Sequence, residues 1–404
     1  MSIIMNSAIQ PRPINPASSR LAAIILAAGY SSRMGDFKPL LPIGGATALE
    51  RCIGLFLAAG VEEVIAVLGH RADQLQPLAE RCGARCVVNP QFDRGMYSSI
   101  VVGCRALPRW VEATFVLPAD IPLVRLATVR QLADTRASSR AGILYPVFNG
   151  HRGHPPLIDR SIFEEAAAEG VKGPLSTLLA NHESDAIEVR IADQAIHMDM
   201  DTQADYKALL SLDTHRDIPN LAECEEVLAA RCVESRIVRH SRKVAEIAGC
   251  IATALQCNGR VLNLDLVQAA ALLHDIAKGQ SNHAAVGASI LRSLGFDVVA
   301  EVVAEHTDLS TFSGLDETAI VYLADKLVRG EEVVTIKERF KPALMRFTKN
   351  PTALEGARKR MRKAKKVARA VELHVGRSLQ TIIGAELILE DRPATPKAQE
   401  VGAR

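Results

Sequence analysis

The chain has 404 residues, of which 48% are hydrophobic and 23% charged, and its formal net charge is +2. This length exceeds one ordinary hydrophobic core, so we expect two domains with additional segments. A net charge so close to zero gives no general reason to expect a nucleic-acid partner. No apolar run reaches the roughly 18 residues that a membrane span requires, so we expect no membrane partner.

The chain ends and the cysteines bear on the compartment. Residues 1–20 have no hydrophobic stretch followed by a cleavage site and predict a flexible leader rather than a secretory signal. The eight cysteines include no CxxC pair. Reduced thiols and a cytoplasmic location are therefore expected, with a structural zinc at Cys82 and Cys86 as the alternative.

Residues 21–212 alternate between strand-like runs and helical patterns. The predicted strands are residues 22–26, 63–68, 85–88, 114–117 and 143–147, and the predicted helices include residues 47–59, 72–81, 98–107 and 123–135. This alternation predicts an α/β domain of three layers, Rossmann-like, with a mostly parallel sheet between helices.

The loop after the first predicted strand has the composition of a phosphate-binding segment. Leu26 to Lys38 reads LAAGYSSRMGDFK. Gly29 and Gly35 allow the main chain to approach an anion, and Arg33 and Lys38 supply positive charge. Neither GxxxxGK[ST] nor GxGxxG is present. The segment predicts nucleotide binding, and a chance Gly/Ser turn is the alternative.

Two acidic segments could complete this site. Asp120 ends the strand-like run Leu-Pro-Ala-Asp, where it could hold Mg²⁺ or act as the N-cap of the next helix. Asp199 and Asp201 lie further along the chain in Met-Asp-Met-Asp-Thr. We expect only one of these two carboxylates to face the metal and leave open which one.

These motifs resemble those of the MobA-like nucleotidyltransferases, and most closely the molybdenum cofactor cytidylyltransferases. The resemblance implies transfer of CMP from CTP, or of another nucleotidyl group, to molybdopterin with release of pyrophosphate. It assigns catalysis to Arg33, Lys38 and Asp120, and Mg²⁺ binding to Asp120 with Asp199 or Asp201. The nucleotide-binding residues that it implies are Leu26, Ala27, Ala28, Gly29, Arg33, Lys38, Asn89, Ser98 and Asp120. Gln203 stands where the family's D-x-D-T-P element usually has proline.

Two further segments are similar to family loops. Asn89-Pro, followed by Gly95-Met-Tyr-Ser98, resembles the loop beside the base, with Ser98 as a plain helix cap as the alternative. Arg152-Gly-His154-Pro resembles the segment that would meet an acidic acceptor, with a structural role for His154 as the alternative. The acceptor would be molybdopterin-type, or a sugar phosphate or other phosphorylated small molecule. A molybdoenzyme or its chaperone is a candidate protein partner.

Helical patterns replace strand signals after residue 212. Residues 213–220 predict a linker, 221–340 an all-helical domain, 341–390 a basic helical extension and 391–404 a disordered tail. The predicted helices are residues 222–233, 236–256, 265–276, 283–294, 297–306 and 317–328. The extension has eight Lys and Arg between residues 358 and 369. This run predicts a solvated helix face, and an RNA or phosphate contact is the alternative.

The helical domain contains a candidate metal site. His274 and Asp275 end an apolar stretch, where burial is costly unless they have partners. The candidate partners are His240, His283, His306 and Asp325. Six such ligands exceed the needs of one tetrahedral metal and suit two metals about 3.5–4 Å apart, bridged by Asp275. In a mononuclear alternative, His283 or His306 contacts the substrate.

The segments LLHDIAK, HAAVGA, AEHTD and LADKLVRGE resemble those of the HD-domain metal-dependent phosphohydrolases over residues 235–331. The resemblance implies one or two divalent transition metals, such as iron or manganese, and a nucleotide substrate. Asp308 replaces a threonine or glycine of the family. Lys278 is either a contact for a substrate phosphate or a solvated helix end. A nucleotide-sensing module without turnover is the alternative function of this domain.

Overall fold

The computed structural model describes residues 20–31, 33–168 and 175–384, and these residues form two compact units. The first unit runs to Cys232 and also includes residues 290–297, and the second unit contains the other residues from Val233 onward. The expected leader (apart from Arg20), the expected tail and residues 385–390 of the expected extension lie outside the described residues.

The first unit is an α/β fold. Its strands are β1 (Leu21–Ala27), β2 (Pro42–Ile43), β3 (Ala46–Thr47), β4 (Glu63–Leu68), β5 (Arg85–Val88), β6 (Ala113–Pro118), β7 (Ile143–Phe148), β8 (His151–Arg152), β9 (Leu157–Asp159) and β10 (Ala186–Arg190). Its helices are α1 (Ala48–Ala58), α2 (Ala72–Arg81), α3 (Met96–Ala106), α4 (Leu126–Ser138), α5 (Arg160–Ala168), α6 (Leu175–Asn181), α7 (Gln203–Thr214) and α8 (Leu221–Ala230).

The main sheet has the strand order β10-β7-β9-β6-β1-β4-β5, and β8 pairs with β7. Strands β6, β1, β4 and β5 are parallel, as are β7 and β10, whereas β9 is antiparallel to both of its neighbours. Successive β1 residues alternate between two cores: Ile25 packs with Phe56 on one face, and Ile24 packs with Ile100 on the other. The mostly parallel, three-layer prediction is confirmed.

A buried polar network holds α8 in the first unit. The guanidinium of Arg125 lies 3.3 Å from the Glu223 carboxylate of α8 and 3.8 Å from that of Asp193. Glu226, also on α8, accepts a hydrogen bond from the main-chain N–H of Asn149. The first compact unit therefore continues through α8, whereas the sequence placed residue 221 at the start of the second domain.

The second unit is helical except for one small hairpin. Its helices are α9 (Ser235–Cys257), α10 (Leu264–Leu273), α11 (His283–Ser293), α12 (Asp297–Glu305), α13 (Glu317–Lys326), α14 (Ile336–Arg346), α15 (Pro351–Val375) and α16 (Leu379–Ile383); the end of α11 groups with the first unit. The hairpin joins β11 (Val328–Arg329) to β12 (Glu332–Val333). None of the helices in the described part of the chain is long and apolar enough to cross a membrane.

We predict that Asp193→Ala lowers the free energy of unfolding by about 2–4 kcal/mol. Asp193 is buried and accepts hydrogen bonds from the Arg125 main chain (2.7 Å) and the Thr128 hydroxyl (2.7 Å), so alanine leaves both donors unpaired. Thermal and urea unfolding measure the change. The exposed Asp217→Ala is the control, with an expected change within about 0.5 kcal/mol. Equal effects of the two substitutions would contradict the prediction.

Candidate active sites

The predicted nucleotide loop begins at the carboxyl end of β1. The main-chain N–H of Ala119, after β6, donates to the carbonyl of Leu26 (3.0 Å), and that of His70, after β4, donates to the carbonyl of Ala28 (3.1 Å). The buried run Leu26, Ala27 and Ala28 is thus joined to the ends of both neighbouring strands. In an open α/β sheet this edge is the place where ligands bind.

The described residues of this loop leave space for an anion beside the main chain. Gly35 adopts φ +78°, a conformation that favours glycine, and the Lys38 main-chain N–H donates to the Ser31 hydroxyl at 3.1 Å. A side chain at Gly29 would meet no atom within 4 Å, so open space lies beside the main chain there. This geometry leaves room for a phosphate group against Gly29.

Lys38 joins two acidic segments that are far apart in the sequence. Its Nζ lies 3.0 Å from Asp120 Oδ2 and 2.6 Å from Asp201 Oδ1, and Arg33 Nη1 lies 2.9 Å from Asp201 Oδ2. Burial lowers the pKa of Lys38, but the hydrogen bond from Lys38 to Asp201 and the charge of Asp120 raise it above its usual value overall. The same hydrogen bond lowers the pKa of Asp201. Lys38 and Asp201 therefore form an ionised pair at neutral pH.

Asp199 and Asp201 both lie on the side of this cluster. Met200, between them, is buried, and its main-chain N–H donates to the carbonyl of Asp120 (3.0 Å). Residues two apart in an extended segment share a face, so which of the two carboxylates would hold a metal stays a prediction. Burial and the charges of Asp201 and Asp120 raise the pKa of Asp199.

The carboxylates fit Mg²⁺ in an open site. Among the described residues, Arg33 and Lys38 are the cations in contact with Asp120 and Asp201, and the pKa of Asp199 is raised first by burial and then by the charges of Asp201 and Asp120. In the described part of the chain the three do not form a group with ligand atoms within 4.8 Å of one another. Mg²⁺ is bound by one or two carboxylates together with substrate phosphates, which such an arrangement allows.

Two alternatives from the sequence are excluded by the helix starts. The N-cap of α4 is Arg125, so Asp120 does not cap that helix. The N-cap of α3 is Gly95, so Ser98 does not cap α3. The unusual Gln203 also has a defined contact, because its amide donates to the Met34 carbonyl and to the Asp36 carboxylate, each at 3.2 Å. Gln203 therefore holds the loop through hydrogen bonds that proline could not make.

The fold places the side chains of Asn89 and Ser98 in contact with each other, in the interior of the first unit. Both are buried, and the Asn89 amide donates to the hydroxyls of Ser98 (2.8 Å) and Ser99 (3.0 Å). The Asn89 carbonyl oxygen accepts the main-chain N–H of Gln91, and the Ser98 hydroxyl donates to the Gly95 carbonyl. These side chains are already satisfied, so they position the Gln91–Gly95 turn rather than offer free groups to a nucleotide.

A cavity of about 930 Å³ contains both predicted acceptor residues. Arg152 is already paired with Glu183 (2.5 and 2.9 Å) and Glu188 (2.8 Å), and its guanidinium stacks 4.2 Å from the centre of the Tyr145 ring. Its charge is thus largely neutralised before any acceptor binds. The cavity walls are mainly apolar, formed by Leu26, Met96, Tyr97, Ile100, Val116, Pro118 and Leu179 among others.

His154 carries an unpaired nitrogen in this cavity. Its Nδ1 is buried without a hydrogen-bond partner, which is unusual for a purely structural histidine. Burial lowers the pKa of His154, so the ring is neutral at pH 7. A side chain at Gly153 would approach the Ile196 carbonyl to 2.7 Å, so glycine is required to place the Arg152–His154 run here.

An aromatic cluster beside the loop was missed by sequence reasoning. The ring of Tyr30 lies 5.1 Å from that of His70 and 5.2 Å from that of Phe92, and Tyr30 is 55% exposed. The only available signal was Tyr30 within the loop motif, because the other two rings come from distant segments. Such a surface is suited to stack on a flat ring.

The second unit brings all six predicted metal ligands together. They form two trios, His240 with His274 and Asp325, and Asp275 with His283 and His306; within each trio the ligand atoms lie within 4.8 Å of one another. His240 lies on α9, His274 and Asp275 follow α10, His283 begins α11, His306 follows α12 and Asp325 lies on α13.

Asp275 lies between the two trios. Its Oδ2 is 3.4 Å from His274 Nε2, and its Oδ1 is 3.2 Å from His283 Nε2 and 3.4 Å from His306 Nε2. Each carboxylate oxygen therefore faces a different trio. This is the position that a carboxylate bridging two cations requires.

Main-chain contacts orient the imidazoles for metal binding. The Nδ1 atoms of His240, His274 and His306 lie 2.8, 2.7 and 2.6 Å from the carbonyls of Gly330, Ala271 and Val303, respectively. Because a carbonyl only accepts, each Nδ1 carries a proton, and each Nε2 is the atom that can bind a metal once it has no proton. The buried His274 Nε2 has no hydrogen-bond partner, which fits a metal ligand.

The carboxylates of this site are held as anions. Burial alone would raise the pKa of Asp275, but the positive charge of His274 and hydrogen bonds from His283 and His306 lower it. The pKa of Asp325 is lowered despite its burial, chiefly by the charge of Lys326. Lys278 Nζ lies 3.0 Å from Asp275 Oδ2, beside the ligands. The unusual Asp308 pairs with Lys363 (2.6 Å), so its charge is compensated.

A parallel sheet whose strand ends carry this loop and these carboxylates defines a nucleotidyltransferase, and the second unit defines a metal-binding helical domain. Residues 23–186 match the MobA-like NTP transferase domain, and residues 237–330 match the HD domain. The chain therefore carries a MobA-like NTP transferase domain and an HD domain. It is therefore an enzyme of the nucleotidyltransferase family.

Individual relatives match the first half. The molybdenum cofactor cytidylyltransferase of Escherichia coli K12 is 29% identical over 190 residues, which cover 46% of this chain and 94% of the relative. The nicotine blue oxidoreductase of Paenarthrobacter nicotinovorans is 32% identical over 38% of this chain and 77% of its own length. A solved nucleotidyl transferase from Methanothermobacter is 23% identical, covers 48% of this chain and 98% of its own, and has a TM-score of 0.42.

We predict that Asp275→Ala lowers the metal content of the purified chain about tenfold or more, because it removes a ligand of one trio whose second carboxylate oxygen also faces the other trio. Inductively coupled plasma mass spectrometry after growth with manganese or iron measures bound metal, and circular dichroism checks folding. His374→Ala, an exposed histidine of α15, is the control and should leave metal content unchanged. Full metal content in a folded Asp275→Ala chain would contradict the assignment.

Proposed function

We propose that the first unit transfers CMP from CTP to the phosphate of a molybdopterin-type acceptor and releases pyrophosphate. The observation that carries this proposal is the contact of Lys38 with both Asp120 and Asp201 beside the β1 loop. The identity of the nucleotide rests on the loop motif and on the name of the Escherichia coli relative. CTP, this acceptor and a molybdoenzyme or its chaperone are the proposed partners.

In this reaction an acceptor phosphate oxygen attacks the α-phosphorus. The bond from the α-phosphorus to the oxygen that bridges it to the β-phosphorus breaks, and pyrophosphate leaves with the bonding electrons. Lys38 and Arg33 lie where they can offset the charge that grows on the phosphate oxygens. Mg²⁺, held by Asp120 with Asp199 or Asp201, would supply further charge compensation when bound. No covalent intermediate on the protein is required.

The acceptor would occupy the cavity that contains His154. The neutral His154 ring can accept or donate one hydrogen bond, and the apolar walls suit the ring system of a pterin. A sugar phosphate is the second candidate acceptor, since the pairing of Arg152 with Glu183 and Glu188 does not select between two phosphate-bearing molecules. Pyrophosphate release measured with each acceptor separates these two candidates.

We predict that Lys38→Met lowers kcat/KM for pyrophosphate release about 10²–10³-fold, because it removes a charge needed at the reacting phosphates. A coupled pyrophosphate assay with CTP and molybdenum-loaded molybdopterin measures the rate. Lys207→Met, an exposed lysine on α7, is the matched control and should retain the parental rate. Absence of pyrophosphate release by the parent with every nucleotide and acceptor would refute the transferase proposal.

We further propose that the HD unit hydrolyses a nucleotide phosphate. The support is the pair of trios bridged by Asp275, together with Lys278 beside them. Divalent cations such as iron or manganese would supply an activated water when bound. Lys278 would hold a substrate phosphate. We also propose a cytoplasmic location, because all eight cysteines are free, as is usual in reducing compartments.

A screen of nucleotides against the parent and Asp275→Ala tests the hydrolase proposal. We expect phosphate release by the parent, at least about 10²-fold less by Asp275→Ala, and CMP transfer that is unchanged in both. If the parent hydrolyses no nucleotide and Asp275→Ala instead alters CMP transfer, the second unit is a nucleotide-sensing module.

A further inference from the structure

A second large cavity lies in the part of the second unit that follows the HD match. It has a volume of about 990 Å³ and is enclosed by α14, α15 and α16, with Leu327 at one side. Aliphatic and thioether side chains form most of its wall, chiefly Ile336, Leu344, Met345, Met361 and Leu379. This volume is in the range of small-molecule sites.

Lysines surround the cavity, and its carboxylates are already engaged. Lys337, Lys341 and Lys365 line it. Glu338 accepts from the Thr335 main chain (2.8 Å) and hydroxyl (2.7 Å), and Glu372 accepts from the Leu379 main chain (3.0 Å). Both glutamates therefore serve to cap helices.

Two of the lysines have no acidic partner. Within the described ranges, neither Lys337 nor Lys365 forms an ion pair, and both are exposed. The surrounding residues 337–377 contain fourteen Lys and Arg against three Glu and no Asp. The positive potential at the cavity is therefore not locally balanced, and it favours an anionic ligand.

The side chains that line the cavity indicate which chemical group is attached to the anion. No aromatic side chain lines the cavity, so a nucleotide base would have nothing to stack on. Flexible methionine and leucine side chains suit an aliphatic chain, which needs no hydrogen bonds. We propose that this cavity binds an aliphatic chain ending in a carboxylate or a phosphate, with the chain among the apolar residues and the anion at Lys337 and Lys365.

Isothermal titration calorimetry with the full-length protein tests the proposal. The probes are dodecanoate and dodecyl phosphate, below their micelle concentrations, with neutral dodecanol and CTP as comparators. We expect both anions to bind. Dodecanol should bind at least about tenfold more weakly, because it lacks the charge. The anion that binds more tightly indicates whether the ligand is a free acid or a phosphorylated lipid. Equal binding of dodecanol, or saturation by CTP at the same site, would overturn the proposal.

Matched variants locate the binding site. Lys337→Glu with Lys365→Glu should weaken dodecanoate binding about tenfold or more, and Ala368→Trp should abolish it by filling the cavity. Lys349→Glu, between α14 and α15, with Lys359→Glu, on α15, makes the same charge change outside the cavity lining and should leave Kd within about threefold of the parental value. If both pairs of charge reversals weakened dodecanoate binding equally, the effect would be a general one of charge, and the proposed location of the anion would be wrong.

The chain's own residues 385–404 are the competing occupant, because they follow α16, whose first residues line the cavity. A variant that ends at Gly384 distinguishes the two occupants. Binding of dodecanoate by the full-length chain, with similar affinity in the shortened one, supports the proposal. If only the shortened chain binds, or neither does, the proposal is wrong.

Discussion

The contact of one lysine with two distant carboxylates is the constraint on which the first site depends. Lys38 lies in the loop after β1, Asp120 follows β6, and Asp201 precedes α7. The parallel sheet brings the first two together, since the carboxyl ends of its strands meet at one edge. The hydrogen bond from Met200 to the Asp120 carbonyl adds the third segment. Without this charge balance, three carboxylates would repel one another at the nucleotide-binding edge.

In the second site, imidazoles surround a buried carboxylate. A carboxylate as deeply buried as Asp275 is costly unless positive or hydrogen-bonding groups surround it. His274, His283 and His306 approach its two oxygens from different helices or helix ends. Main-chain carbonyls hold the rings of His274 and His306 with their Nε2 atoms toward Asp275, so the helical fold fixes these donors before any cation arrives.

Local patterns in the sequence were enough for the long elements and for the motifs. Strands 63–68 and 85–88 and helix 72–81 have the predicted bounds, because each has clear periodicity and clear ends. Strands β8 and β9 were missed because two or three residues are too few to carry a pattern, and the five-residue β10 was missed as well. The hairpin β11–β12 was missed for the same reason.

Side-chain roles that depend on tertiary contacts were beyond the sequence. Asn89 and Ser98 match a family loop, yet only the fold reveals that they satisfy each other. Arg152 matches an acceptor motif, but its neutralisation by Glu183 and Glu188 requires segments that meet only in the folded chain. The position of α8 likewise depends on Arg125, almost one hundred residues away.

The affinity of the chain for CTP with and without Mg²⁺ tests the account of the first site most directly. If Asp120, Asp199 and Asp201 form an open metal site beside the loop, Mg²⁺ should tighten CTP binding about tenfold or more in calorimetry, and Asp120→Asn should remove most of that gain. CTP affinity that is the same with and without Mg²⁺, or a gain that survives in a folded Asp120→Asn chain, would contradict it.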